Sequence, residues 1–168
     1  CGMTDASFKR LIIDLEKCDQ CEFCVVECGY YNRPHEHENG LWGLRQKATF
    51  AVICRRCAHA SCIDACEFGA LDRDEDMVLR RHNLRCVSCK MCAHACPFGT
   101  IYTDMLAFYE VNCDACLAMT DGPPACVASC PHGALEYRDT DPSEAGIHII
   151  DQHLAARAEG WVRREAAS

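Results

Sequence analysis

Sixteen cysteines, set in four groups of four between residues 18 and 130, constrain this 168-residue chain more than any other feature. The first group is Cys18, Cys21, Cys24 and Cys28, spaced C-x2-C-x2-C-x3-C. The third, Cys86, Cys89, Cys92 and Cys96, repeats that spacing and is followed by Pro97. The second, Cys54, Cys57, Cys62 and Cys66, widens the middle gap to four residues. The fourth, Cys113, Cys116, Cys126 and Cys130 with Pro131, stretches it to nine, Leu117 through Ala125. Gly122-Pro123-Pro124 within that insert predicts a loop. A chain this short buries a modest core, and a density of about one cysteine in ten residues points to covalent or metal staples in place of missing apolar contacts.

Spacing decides which staple. Three cysteines within seven residues, Cys18 to Cys24 and Cys86 to Cys92, can wrap three thiolates around one iron-sulfur cube from a single loop. Zinc takes its ligands as two separated pairs, which such triplets do not supply. Disulfides between cysteines two residues apart are strained, and a disulfide framework gives no reason for triplets to recur. The four groups therefore predict four 4Fe-4S clusters on sixteen of the seventeen cysteines. In bacterial runs that end in Cys-Pro, as groups three and four do, the fourth cysteine ligates the neighbouring cluster. Each group already holds four thiols, so histidine ligands are not needed. His59, His94 and His132 lie next to cysteines as either surface residues or hydrogen-bonding tuners of potential, and His35-Glu36-His37-Glu38 reads as a solvated loop. The sequence carries no G-x-S-x-G, H-E-x-x-H, Walker or G-x-G-x-x-G motif, so no catalytic residue is predicted. Fully coordinated irons offer no open position to a substrate, which places the chemistry on another subunit.

Charge excludes a further class. The formal net charge is −8, and the basic residues are scattered in pairs such as Arg55-Arg56, Arg80-Arg81 and Arg163-Arg164, not gathered into the patch that a polyanion requires, so no nucleic acid partner is expected. The acidic balance suits transient docking to basic partners. No stretch approaches the ~20 apolar residues of a membrane span, so none is expected. Cys1-Gly2-Met3-Thr4-Asp5 contains neither a twin-arginine signal nor an apolar segment, and the chain as given reads as cytoplasmic. The alternative is an exported or lipid-anchored protein whose Cys1 follows a removed leader; the simpler reading of Cys1 is the residue left after an initiator Met.

Short strands are predicted at Arg10–Leu15, Met77–Leu79 and Phe108–Val111, before groups one, three and four, and at Ala70–Leu71, Thr100–Tyr102 and Ala134–Tyr137, after groups two, three and four. Each pair is expected to close a small antiparallel hairpin around its cysteines, with Asp72–Asp76 as a polar turn. The small-residue x3 intervals, Ala93-His94-Ala95 and Val127-Ala128-Ser129, predict helical turns. Asp139 to Gly146 reads as a linker. Ile150, Leu154, Ala158 and Trp161 then recur at helical intervals, predicting a C-terminal helix over Ile149–Arg164. Packing of that helix on its own domain and docking on a partner both remain open.

At the level of motifs the sequence resembles the iron-sulfur subunits of molybdenum and tungsten oxidoreductases and of formate hydrogenlyase-type complexes. The resemblance rests on Asn112-Cys113-Asp114-Ala115-Cys116, Gly122-Pro123-Pro124-Ala125-Cys126-Val127 and Ser129-Cys130-Pro131, and on Arg85 to Cys92 with Ala95-Cys96-Pro97-Phe98-Gly99; it covers residues 8 to 138. It implies an α+β fold of two ferredoxin-like 2x4Fe-4S modules, the second inserted into the first, with short β-hairpins, short helices and the C-terminal helix. Residues 8–50 and 104–138 form the outer module (groups one and four), 51–103 the inner module (groups two and three), and 139–168 the C-terminal linker and helix. It also implies crossed ligand sets. Cys18, Cys21 and Cys24 share a cluster with Cys130, and Cys113, Cys116 and Cys126 share one with Cys28. Cys54, Cys57 and Cys62 pair with Cys96, and Cys86, Cys89 and Cys92 with Cys66. Groups one and two depart from the pattern, with Gly29 and Glu67 where the proline stands. The compact chain is similar to the small polyferredoxin subunit of tungsten aldehyde oxidoreductases. The implied function is a non-catalytic electron relay between a catalytic subunit bearing a Mo/W-pterin and a second redox subunit or carrier. The alternatives are a freestanding polyferredoxin that shuttles electrons between enzymes and a subunit whose clusters only hold the fold.

Overall fold

The computed structural model describes residues 9–22, 24–28, 40–73, 77–101, 112–119 and 122–159. It begins with β1 (Lys9–Asp14), whose Leu11, Ile12 and Ile13 are fully buried. Asp14 ends the strand and caps α1 (Leu15–Cys18) by accepting the Lys17 N–H at 3.0 Å, so the cap delivers Cys18 directly from the sheet edge. A 14-residue helix, α2 (Gly40–Ile53), runs up to Cys54. Then follow α3 (Ser61–Asp64), β2 (Leu71–Arg73), β3 (Leu79–Arg81), α4 (Met91–Ala95), α5 (Asn112–Met119) and α6 (Ala125–Ser129). The described residues close with β4 (Leu135–Asp139), β5 (Ile147–Ile149) and β6 (Leu154–Arg157).

Two sheets form. The larger has the order β4-β1-β6-β5, with β1 antiparallel to β4 (Ile13 opposite Leu135), parallel to β6 (Ile13 opposite Ala156), and β5 antiparallel to β6. The smaller is the β2–β3 hairpin, Leu71 opposite Arg81. Alternation along the large sheet divides its side chains. Leu11, Ile13, Leu154 and Ala156 join Leu41, Leu44 and Ala48 of α2 in the main core, while Ile12, Ala155 and Ile147 pack together separately. A smaller core of Phe50, Leu71, Leu79 and Ile101 lies among the cysteines of groups two and three. Helix α2 feeds both cores, since Ala51 and Val52 belong to the first and Phe50 to the second.

Several expectations are corrected. Residues 147–149 and 154–157 form strands β5 and β6 where a C-terminal helix over Ile149–Arg164 was expected; Trp161 and the other residues from 160 on fall outside the described residues. Ile150, Leu154 and Ala158 do recur every four residues, but β6 is central and buried on both faces, so it lacks the alternation that marks a half-exposed strand. The expected linker is shorter: Asp139 ends β4, and residues 140–146 make the turn into β5. The strands do not close hairpins around their own groups. The strand before group one pairs with the strand after group four. The strand after group two does pair with the strand before group three, as expected from the turn between Leu71 and Met77, but the second strand runs Leu79–Arg81 and not Met77–Leu79. In the insert of group four, Leu117 to Met119 complete α5, and only Gly122–Pro124 is described as loop. Thr100 and Ile101 are not in a strand. The expected strand at Phe108–Val111, together with Tyr102, Asp74–Asp76, Gly29, His35–Glu38 and Cys1, lies outside the described residues. Among the described residues no helix is long and apolar enough to cross a membrane.

Candidate metal centres

The fourth cysteine of groups two, three and four sits in the same turn. Cys66, Cys96 and Cys130 each accept, at the backbone carbonyl, the N–H of the glycine three residues on, Gly69, Gly99 and Gly133, at 3.1, 3.2 and 3.3 Å. Those glycines have φ of +55°, +61° and +58°, a conformation that strains any residue with a Cβ. The turn aims the next backbone N–H back at sulfur: Ala70 donates to Cys66 Sγ at 3.3 Å and Ala134 to Cys130 Sγ at 3.4 Å. At the third copy Thr100 adds a hydroxyl, 3.4 Å from Cys96 Sγ.

These turns bring thiols from distant groups together. Cys18, Cys21 and Cys24 line one cavity with Cys130, beside Trp42 and Arg45 of α2. Cys28 lines a second with Cys113, Cys116 and Cys126, walled by Leu11, Leu44 and Leu117. Cys54, Cys57 and Cys62 line a third with Cys96, beside Arg55, Arg56 and Arg73. In the remaining set the Cys92 thiol lies within electrostatic reach of Cys86 and Cys66, and Cys89 is the one exposed cysteine among those described. A side-chain clip joins groups one and four. Ser129 of α6 accepts the Glu27 N–H at 2.8 Å while donating to the Ala125 carbonyl at 2.9 Å, which holds the Cys28 segment against Cys126.

None of the sixteen described cysteines is joined in a disulfide. Crowding governs their electrostatics. Burial pushes the Cys126 thiol up to about 11, and the neighbouring Cys116 and Cys28 add to the rise. Burial also raises Cys18, which the Arg45 guanidinium partly offsets before Cys24, Cys21 and Cys130 push it up again. Cys62 is raised by burial and by Cys54 and Cys96. Cys96 is the exception: burial pushes it up, but the Thr100 hydroxyl and the backbone N–H groups of Thr100, Phe98 and Ile101 outweigh burial and leave it below the usual thiol range. Four partly buried thiolates around one space repel one another, so a cationic metal centre is the partner that lets all four ionise. Thiols that line the walls of a cavity fit a cube with four iron corners.

Arg45, Ser129 and Thr100 carry no signal in the cysteine spacing; the repeated Cys-x-x-Gly-Ala/Thr turn is the one sequence pattern that reaches Thr100. His59, His94 and His132 are all exposed.

Comparison with known proteins finds iron-sulfur relatives. Residues 45–140 match the 4Fe-4S dicluster domain family and residues 15–31 a 4Fe-4S binding domain. The NADH-dependent phenylglyoxylate dehydrogenase subunit beta of Aromatoleum evansii is 32% identical over 142 residues, 80% of this chain, which spans only 31% of that protein's length. The thiosulfate reductase electron transfer subunit PhsB of Salmonella typhi is 28% identical over 175 residues, covering 94% of this chain and 86% of that protein. The B subunit of the anaerobic dimethyl sulfoxide reductase of Haemophilus influenzae is 27% identical over 148 residues, covering 76% and 72%. With the match of residues 45–140 extending over more than half of its length, this protein belongs to the 4Fe-4S dicluster domain family.

Proposed function

We propose that this chain is the non-catalytic electron-transfer subunit of an oxidoreductase complex. It holds four 4Fe-4S clusters, on Cys18, Cys21, Cys24 and Cys130 (set one), Cys54, Cys57, Cys62 and Cys96 (set two), Cys66, Cys86, Cys89 and Cys92 (set three), and Cys28, Cys113, Cys116 and Cys126 (set four). Electrons pass between a catalytic subunit bearing a Mo/W-pterin and a second redox subunit or carrier. The observation that carries the reading is the mixing of groups: three cavities are each lined by three thiols of one group and one thiol of another. The names of the thiosulfate and dimethyl sulfoxide reductase relatives support the same role. Bound clusters would supply one-electron chemistry. The protein's own part is to fix their spacing, exclude water with residues such as Leu44 and Leu117, and direct hydrogen bonds at sulfur.

Set three is the exchange edge in this reading. Exposed Leu84, Val87, Lys90 and Met91 flank the exposed Cys89. Between residues 77 and 101 the sequence carries Arg80, Arg81, Arg85 and Lys90 and no Asp or Glu, against a net charge of −8 overall, so the carrier that docks there is acidic. Anaerobic native purification with metal and sulfide analysis tests the proposal. The expected result is about sixteen irons per chain in a stable complex containing Mo or W. A free brown monomer would replace the subunit reading with a freestanding polyferredoxin, and clusters that never change oxidation state would end the relay reading.

A further inference from the structure

The three copies of the Cys-x-x-Gly turn are nearly identical in backbone, yet one differs in chemistry. The residue after glycine is Ala70 beside Cys66, Ala134 beside Cys130 and Thr100 beside Cys96. Backbone N–H groups point at sulfur in each copy, so they do not distinguish the sets; the Thr100 hydroxyl does. A metal-bound Cys96 thiolate has no proton to give, which leaves the hydroxyl as donor in the 3.4 Å contact. Set two is also the set whose cavity Arg55, Arg56 and Arg73 line; the set-one cavity has Arg45 and Glu22, and the set-four cavity Glu27.

We infer that Thr100 is a tuning residue whose hydroxyl raises the reduction potential of the set-two cluster above the value the same turn would give it with alanine in that place. This rests on the four-cluster relay proposed above. A cluster held by set two would accept one electron from the reductant, with no proton exchanged. The added negative charge falls partly on the sulfurs, where a donated hydrogen bond and nearby cations stabilise the reduced form.

The test is an anaerobic redox titration of the intact four-cluster protein, with dithionite as reductant, followed by electron paramagnetic resonance. Set two is identified as the signal altered in Cys57→Ser. Thr100→Ala should shift that midpoint downward and leave the other three in place, and Thr100→Ser, which keeps the hydroxyl, should restore it. The reciprocal variant Ala70→Ser should shift set three upward. Unmoved midpoints in Thr100→Ala with all four clusters bound, or an equal downward shift in Thr100→Ser, would overturn this inference alone. Absence of a set-two cluster from the wild-type protein would overturn the relay reading with it.

Discussion

The half of the molecule around groups one and four and the half around groups two and three solve the same coordination problem with different amounts of protein. Among the described residues the core beside groups one and four gathers sixteen buried side chains, Ala51, Val52 and Val78 among them, under a four-stranded sheet, while the core beside groups two and three has four and a two-stranded hairpin. Two strands alone are marginal in water, and a core of four residues offsets little chain entropy. With clusters at the proposed sites, the part around groups two and three would depend on them for shape, as small metal-bound domains do, whereas the part around groups one and four has a sheet that can stand without them.

Iron removal should expose this difference most. When the holoprotein is stripped with a chelator, the β2–β3 amides should lose all protection from hydrogen exchange, while β1, β4 and β6 keep theirs; equal loss in both sheets would break the comparison. Asp151→Asn strikes the outer half next. Asp151 pairs with the buried Lys47 at 2.6 Å and accepts the His153 and Leu154 N–H groups at 2.8 Å, which sets the entry into β6. Neutralising the carboxylate that faces the buried Lys47 should cost about 1–3 kcal/mol in denaturant unfolding. Burial raises the Asp151 carboxyl, but Lys47, the His153 N–H and the Arg80 charge hold it below the ordinary range. Its contribution is therefore complete above the unfolded value of about 4 and is lost as pH falls through the lower folded value. Acid titration of sheet stability should show that loss in the wild type and not in Asp151→Asn.

Matched glycine substitutions sharpen the contrast at smaller cost. Gly99→Ala and Gly133→Ala meet no atom within 4 Å, so each carries only the strain of positive φ, about 1–2 kcal/mol. The same strain should release the inner cluster at a lower denaturant concentration than the outer one, read by loss of iron-sulfur absorbance. The smallest effect is expected at the surface, where Glu136 on β4 bonds Arg157 on β6 at 3.0 Å and Arg138 at 3.2 Å. Glu136→Gln should cost under about 1 kcal/mol, less in high salt, and leave the inner half unchanged.

Much of the site and part of the fold were legible along the chain. Triplet spacing is a local property, since three thiols reach one cube only from a short loop, so the cysteines declare their chemistry without tertiary information. The first strand was also readable, because Leu11-Ile12-Ile13 is apolar and β-branched. Helix α2 escaped sequence reading: apolar residues lie around most of its circumference, Gly40 and Gly43 punctuate it, and it has no acidic first turn to announce it. Strand β6 was misread because Leu154-Ala155-Ala156-Arg157 favours helix on propensity, and its pairing partner β1 lies some 140 residues away.

Sequence alone determined the ligand type and the four groups, because those depend on chemistry within a few bonds. Tertiary structure decided which thiols share a cavity, which half owns the larger core, and that Thr100 alone of the three turn residues offers sulfur a hydroxyl. Those outcomes follow from strand pairing and packing between segments far apart in the sequence, where burial and hydrogen bonds outweigh local preference.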